Sequence, residues 1–211
     1  MGLLNTILGR TKPVQSDLDA LFALPSASIT LQSAAGMSCS GHAGVCFKPP
    51  SGQGFGDMQA EVVKLLSMDG TAGLRKAEDS YGYQWLVVED ADIEQLVTQI
   101  HLVNSSLSDS GWGPQLLCSV FGLAHLNEAT GAEAQSPSAM PELTAGPGTV
   151  LTSSAYLVYL FKRGTFYPFA PLAGQQRDNA LELQVKGVIG DDLKFEPDLA
   201  RWFPVWGAPG L

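Results

Sequence analysis

The sequence predicts an α+β fold: a largely antiparallel sheet of about six to seven strands, with helices packed on one face. Two observations support this prediction. Segments with strand character come in neighbouring pairs joined by short turns, 74–78 with 83–88 and 155–161 with 165–169. Segments with helical periodicity lie between these pairs. Short turns join antiparallel neighbours, whereas parallel strands need long crossovers. The length of 211 residues favours a single domain over 1–211.

The first part of the chain predicts two short helices. Ser16 and Asp17 can cap the first of them. Pro25 suits the first position of a second helix, 26–33, because its missing N–H has no partner there in any case. Gly36 ends this helix.

The segment 37–47 predicts a small β-hairpin with its turn at 41–44. Cys39 and Cys46 would then lie opposite each other, close enough for a strained disulfide. The alternative is two reduced, half-buried thiols on a strand. His42 lies between the two cysteines, but a zinc site would still lack its fourth ligand.

The middle of the chain predicts two further helices and a buried strand. A glycine-rich loop, 51–57, leads into a helix over 58–68. The apolar run 116–123 suits a strand buried on both faces. The clearest helical spacing, i, i+3, i+4, i+7, belongs to Ile93, Leu96, Val97, Ile100 and Leu107.

The last third of the chain contains one ambiguous segment. Residues 179–189 fit both the strand and the helix period, but their length favours a helix, and Asn179 and Glu182 resemble a capping box. Residues 127–150 predict a flexible loop or an insertion, because Gly, Pro, Ala and Ser are abundant there. The tail, 201–211, is aromatic and too rich in proline to form a long helix.

Composition and charge exclude two classes of protein. The chain carries a formal net charge of −9 and a pI of about 4.6. Phosphate binding requires a concentrated basic surface, so nucleic acid is excluded as a partner. No apolar run reaches the about 18 residues that crossing a bilayer requires. The first residues also lack the basic region and the cleavage site of a signal peptide. We therefore expect a cytoplasmic protein.

The sequence contains no recognisable catalytic constellation. The loop 51–57 matches neither phosphate-binding template, and Asp57 would place a carboxylate where the anion has to sit. The acidic segment 89–94 begins a predicted helix, where carboxylates stabilise the helix dipole. Cys118 lies in an apolar strand, where a thiol behaves as a small hydrophobe. We expect a non-enzymatic protein without cofactor or metal. The alternative is a small-ligand site, or an uncharacterised enzyme, with a pocket near the glycine-rich loop and Cys118.

Aromatic side chains are concentrated in the 155–169 hairpin and in the tail. Tyr and Trp supply much of the binding energy in protein interfaces, so this concentration predicts a surface for a protein partner or a second copy of the chain. The alternative is that the tail packs across the hairpin and completes the core. The candidate partner-binding residues are Tyr159, Phe161, Phe166, Tyr167, Phe169, Trp202, Phe203 and Trp206.

The first ten residues, MGLLNTILGR, predict a two-turn amphipathic helix that ends at Gly9. A helix this short is marginal alone in water, so we expect it to dock on a surface. Three surfaces are open: its own domain or a second copy, a partner, or the inner face of the membrane. The membrane contact would be peripheral at most, because four apolar side chains make a weak anchor. The docking face adds four candidate partner-binding residues, Leu3, Leu4, Ile7 and Leu8.

Several phrases carry a resemblance to a known family, among them DSYGYQWLV (79–87), YLFKRGTFYPFAP (159–171) and RWFPVWGAPGL (201–211). They resemble the PspA-associated protein B family, PspAB, and the likeness extends over nearly the whole chain. The C-terminal phrases are the most specific. The segment 127–148 departs from the pattern as an insertion or a divergent loop.

The resemblance implies an accessory or regulatory protein of the phage-shock envelope-stress response, found in bacteria and archaea. It also implies a protein partner, PspA, a coiled-coil protein that assembles on stressed membranes. It transfers no catalytic residue to this chain. The α+β pattern is similar to secretion-chaperone-like folds, which bind extended or helical protein segments, although a fold alone does not establish a function.

Overall fold

The structure is a computed structural model, and it describes residues 16–48, 74–125 and 155–209. Within these ranges six strands form one sheet in the order β2-β3-β1-β4-β5-β6, and every neighbouring pair is antiparallel. The strands of this sheet are β1 (Met37–Phe47), β2 (Arg75–Glu78), β3 (Gln84–Glu89), β4 (Leu116–His125), β5 (Ala155–Leu160) and β6 (Thr165–Phe169).

Three α-helices and several short elements complete the described part of the chain. A two-stranded sheet pairs β7 with β8. The helices and the small strands are α1 (Leu24–Ala35), α2 (Ile93–Leu107), α3 (Asn179–Ile189), β7 (Pro171–Leu172) and β8 (Gln176–Arg177). Short helical segments lie at Leu18–Ala23, Ser108–Trp112, Gly113–Gln115 and Leu199–Arg201.

The predicted α+β class is confirmed. One core cluster joins buried side chains of α1, α2 and α3 to one face of the sheet, which we call the helix face. Side chains alternate along a strand, so the sheet sends its other residues to the opposite face. On β3, Leu86 and Val88 belong to the helix face, whereas Trp85 and Val87 belong to a second core cluster on the opposite face.

The predicted hairpin at 37–47 is wrong, because β1 is one continuous strand of 11 residues. Its two edges pair with β3 and with β4, and these long-range hydrogen bonds outweigh the local turn signal. Gly41 adopts a φ of +86°, which favours glycine, and it accompanies a bulge between Cys39 and Ala43. Cys39 and Cys46 therefore lie about 20 Å apart along one strand, so no disulfide joins them. All three cysteines are free, as in the alternative prediction of reduced thiols.

The helices agree with the sequence apart from their caps. α1 has its proline in the first turn and ends at Gly36, as predicted. α3 spans the predicted residues, but Asp178 caps it rather than Asn179: the Asp178 carboxylate accepts the N–H of Leu181 at 3.0 Å. Asp17 occupies the predicted cap position of the first helix, but that helix is a short 3-10 helix, Leu18–Ala23, and the Asp17 side chain makes no capping hydrogen bond.

Four predicted features lie outside the described residues: the helix over 1–10, the glycine-rich loop, the helix over 58–68 and the segment 127–150. Among the helices in the described ranges, none has both the length and the apolar character needed to cross a bilayer.

Candidate functional site

The face of the sheet opposite the helices is covered by the C-terminal tail, residues 202–209, and we call it the tail face. Among the described residues, its core cluster draws on strands and tail and on none of the three α-helices. The buried members are Cys46, Trp85, Val87, Cys118, Val120, Val158, Tyr167, Phe169 and Trp202.

Trp202 anchors the start of the tail. Its ring stacks on Tyr167 with 6.1 Å between centroids, and its indole N–H donates to the carbonyl oxygen of Glu196 at 3.0 Å. The ammonium group of Lys186 lies 5.5 Å from the centroid of the Trp202 ring. Because an indole N–H needs a partner when it is buried, this hydrogen bond fixes the orientation of the ring.

Tyr167 holds the next residue of the tail. Its hydroxyl donates a hydrogen bond of 2.7 Å to the carbonyl oxygen of Phe203. Burial raises the pKa of the Tyr167 phenol above its ordinary value. The hydroxyl therefore remains protonated at neutral pH and serves as a donor.

Beyond Phe203 the tail continues across the tail face. Trp206 packs edge-on against Phe169 with 4.8 Å between ring centroids. Gly207 then approaches the turn between β2 and β3, where a Cβ atom on this glycine would lie 3.9 Å from the Ser80 hydroxyl. The tail therefore connects one edge strand of the sheet, β6, to the turn that follows the other edge strand, β2.

Arg177 ties the tail to α3. It forms a bidentate pair with the buried Glu182, with Nε–Oε1 at 2.8 Å and Nη2–Oε2 at 3.0 Å, and it also donates to the carbonyl oxygen of Trp202. Its guanidinium carbon lies 5.3 Å from the centroid of the Phe169 ring. A planar guanidinium suits this combination of a carboxylate pair and an aromatic contact.

Glu196 fixes the segment that enters the tail. Its side chain is 0% exposed, and it accepts hydrogen bonds from Arg163, from the hydroxyl of Thr165 at 3.0 Å and from the N–H of Asp198 at 3.2 Å. Burial pushes the pKa of Glu196 upwards, but these hydrogen bonds, led by that from Arg163, outweigh it, so that the net pKa is lowered.

A cavity of about 490 Å³ lies between the tail and the sheet. We call it the tail groove. Apolar and aromatic side chains predominate in its walls, which is typical of binding pockets. Its lining residues are Cys46, Asp79, Tyr81, Tyr83, Trp85, Leu117, Cys118, Leu160, Tyr167, Phe203, Pro204, Val205 and Trp206.

Asp79 shapes one wall of the groove. Its carboxylate accepts from the indole N–H of Trp85 at 3.0 Å and from the backbone N–H groups of Tyr81 and Tyr83 at 2.9 and 3.0 Å. These three bonds hold the turn between β2 and β3 and the Trp85 ring together. Asp79 therefore acts as a structural group that positions the aromatic wall.

Two thiols lie on the floor of the groove. Cys46 on β1 is paired in register with Cys118 on β4, and both side chains belong to the tail-face core cluster. The neighbouring Cys118 thiol, together with burial, raises the pKa of the Cys46 thiol above its ordinary value. Among the described residues, no three His, Cys, Asp or Glu side chains come close enough together to hold a metal ion.

The structure separates the predicted aromatic residues into two groups. Phe203 is 60% exposed and Trp206 is half-buried, and both line the groove. The other six are buried, and three of them, Tyr159, Phe161 and Phe166, belong to the helix-face core. The alternative prediction, that the tail packs across the hairpin, describes the observed geometry. The predicted partner contact itself stays a prediction, and Leu3, Leu4, Ile7 and Leu8 lie outside the described residues.

Sequence reasoning missed the opposite wall of the groove. Tyr81, Tyr83 and Trp85 come from the segment around the turn between β2 and β3, and Leu117 comes from β4. Strict alternation along β3 places Trp85 on the face opposite Leu86, and this signal could have assigned it to the tail face. The predicted pocket at Cys118 exists, whereas the glycine-rich loop expected beside it lies outside the described residues.

Comparison with known proteins identifies the family. No curated protein and no solved structure matched the chain, so the similarity to secretion-chaperone-like folds stays a prediction. The family model described as PspA associated protein B matches residues 1–210. This match covers almost the whole chain, and it includes every residue of the tail groove. The chain belongs to the PspA associated protein B family.

Proposed function

We propose that this protein is a non-enzymatic accessory protein of the PspA system, and that its tail groove binds a segment of PspA or of a related coiled-coil protein. Membership of a family named for association with PspA supports a protein partner. The observation that carries the site is the groove of about 490 Å³ with exposed aromatic residues at its mouth.

The lining of the groove suits large apolar side chains of a protein segment. Tyr81 is 58% and Phe203 is 60% exposed, and both face a cavity whose floor is apolar. Aromatic side chains of this kind dominate the affinity of protein interfaces. An amphipathic helix can insert a row of apolar side chains into such a groove, which is a common mode of peptide recognition.

The net charge of the chain indicates which kind of partner segment would bind. The chain has a formal net charge of −9, so a segment with basic residues beside its apolar side chains would associate faster and with greater specificity. This part of the proposal predicts binding that weakens as salt concentration rises, because the charges on both partners are then screened.

Co-purification with PspA from the native cell, followed by titration of the purified proteins, tests the proposal. Phe203→Ala and Trp206→Ala should each weaken binding by about tenfold or more, as expected for interface hot spots. Ile29→Ala is the matched control, because Ile29 is 69% exposed on α1, on the opposite side of the sheet.

The outcome has three informative forms. Loss of binding in the two groove variants but not in the control supports the site. Equal binding in all variants overturns the groove as the contact surface, and failure of the unchanged chain to bind PspA overturns the partner. Circular dichroism spectra of the variants confirm that the fold is retained.

A second candidate function is the binding of a small apolar ligand in the same groove. The observation that favours it is the convergence of hydroxyl, carboxyl and thiol groups, from Tyr167, Asp79 and Cys118, on a largely apolar cavity. Native mass spectrometry of the protein purified from its own cell distinguishes the two. A retained ligand of defined mass favours this candidate.

We propose that neither candidate involves catalysis by the thiols. A thiol acts as a nucleophile only as its thiolate, and reactive cysteines have lowered pKa values. The pKa of Cys46 is raised instead, by the neighbouring Cys118 thiol and by burial.

We also propose that the protein acts in the envelope-stress response from the cytoplasm of a bacterial cell. Three free cysteines suit a reducing compartment. Contact with the inner face of the membrane would be peripheral, through the first ten residues. Flotation of the full chain and of a chain lacking residues 1–10 with liposomes tests that contact, and light scattering tests whether the chain forms a homodimer.

A further inference from the structure

We propose that Cys46 and Cys118 form a modification site, at which a reversible disulfide links β1 to β4 on the floor of the tail groove. This inference goes beyond the proposed binding function and does not depend on it. It rests on strand register, on the shared face of the two side chains and on access through the cavity.

The register places the two residues directly opposite each other. Such residues in an antiparallel pair have Cα atoms about 4.5–5.5 Å apart. Disulfides span Cα separations of about 4.4–6.8 Å. Both side chains lie on the same face of the sheet, because they belong to one core cluster and line one cavity. A disulfide therefore requires rotation of the side chains but no rearrangement of the strands.

The third cysteine does not compete for this bond. Cys39 lies on β1 beyond the bulge, opposite Leu123, and packs against the helix-face core. A second irregularity in the pairing of β1 with β4 falls directly beside Cys46. Such a bulge bends the strand locally and increases its twist beside the pair.

The groove provides access for an oxidant. Both cysteines are buried from bulk solvent, yet both line the cavity of about 490 Å³. Hydrogen peroxide is small enough to reach the sulfur atoms through this cavity.

The reaction with peroxide is balanced. The Cys118 thiol loses its proton, and the Cys118 thiolate attacks a peroxide oxygen, which breaks the O–O bond and leaves a sulfenic acid on Cys118 and, after protonation, one water molecule. The Cys46 thiol then attacks the sulfenic sulfur of Cys118, forms the S–S bond and loses its proton as a second water molecule leaves. Two thiols and one peroxide yield one disulfide and two waters, and the sulfur atoms supply the two electrons.

The test oxidises the full chain with hydrogen peroxide and maps the product by mass spectrometry. The expected product lacks two hydrogen atoms and contains a peptide pair joined through Cys46 and Cys118. Dithiothreitol should restore the reduced mass. Cys39→Ala is the matched control and should form the same bond, whereas Cys46→Ala and Cys118→Ala should not.

Mapping on the unchanged chain keeps the test valid even if a cysteine variant folds poorly. A bond that involves Cys39 overturns the proposal, as does separate oxidation of the two sulfur atoms to sulfinic acids. Persistence of both thiols, under conditions that fully oxidise free dithiothreitol, also overturns it.

Discussion

The two faces of the sheet are covered in different ways. The helix face is covered by three helices, and its core cluster extends from Leu21 to Leu193. The tail face is covered, among the described residues, by a short tail that is fixed at a few points and leaves a cavity of about 490 Å³. We infer that the helix face supplies most of the stability, whereas the tail face can change its contacts at small cost. Three substitutions test this comparison.

The largest effect is expected on the helix face. Phe121 on β4 is 1% exposed and belongs to the helix-face core, so Phe121→Ala should lower the free energy of unfolding by about 3–5 kcal/mol. Urea unfolding followed by circular dichroism measures this loss. A loss as small as that expected for Tyr167→Phe on the tail face would contradict the assignment of stability to the helix face.

A smaller effect is expected where the tail begins. Glu196→Gln removes the charge that accepts from Arg163, and should cost about 1.5–3 kcal/mol at neutral pH. The lower end is the expected value, because Arg163 is partly exposed and solvent screens the pair.

The pH dependence gives this prediction a second readout. The pKa of Glu196 is lowered in the folded state, so its contribution is fully present above the ordinary value of 4.5. The contribution is lost as pH falls from there through the folded-state pKa. Stability of Glu196→Gln should therefore fall less on acidification. Asp191→Asn, which changes an exposed carboxylate, is the control and should keep the acid dependence of the unchanged chain.

The smallest effect is expected within the tail itself. Tyr167→Phe removes the hydroxyl that donates to the Phe203 carbonyl, and should cost about 0.5–1.5 kcal/mol. The ring contact with Trp202 remains, so the loss should be confined to the tail. Hydrogen exchange of the backbone amides should become faster at 203–209 and stay unchanged in α2. Faster exchange throughout the sheet would show instead that the two faces are not independent.

Local patterns were sufficient for most of the secondary structure. The spacing of apolar residues identified α2, and the length of the ambiguous segment identified α3 with its observed bounds. The hairpin of β5 and β6 was also predicted, because its turn sequence and strand formers lie next to each other in the chain. These elements depend on interactions between residues that are close together in the chain, so the local residue pattern is enough to predict them.

The error at β1 has the opposite cause. Gly41, His42, Ala43 and Gly44 resemble a turn locally, yet β3 and β4 supply hydrogen bonds along both edges of the strand. Residues 84–89 and 116–125 provide these bonds, and they lie far away in sequence. The local turn pattern competes with hydrogen bonding to two distant strands. The sequence of the segment alone does not show which of the two is more favourable.

The sequence by itself determined the α+β class, the helices over 24–35, 93–107 and 179–189 to within a few residues, and the resemblance to the PspA associated protein B family. The tertiary structure alone decided which aromatic residues are buried, that Cys46 faces Cys118, and that the tail encloses a groove. The physical reason is distance along the chain. The groove brings together side chains from six separate segments, and their meeting depends on strand order and register rather than on any local pattern.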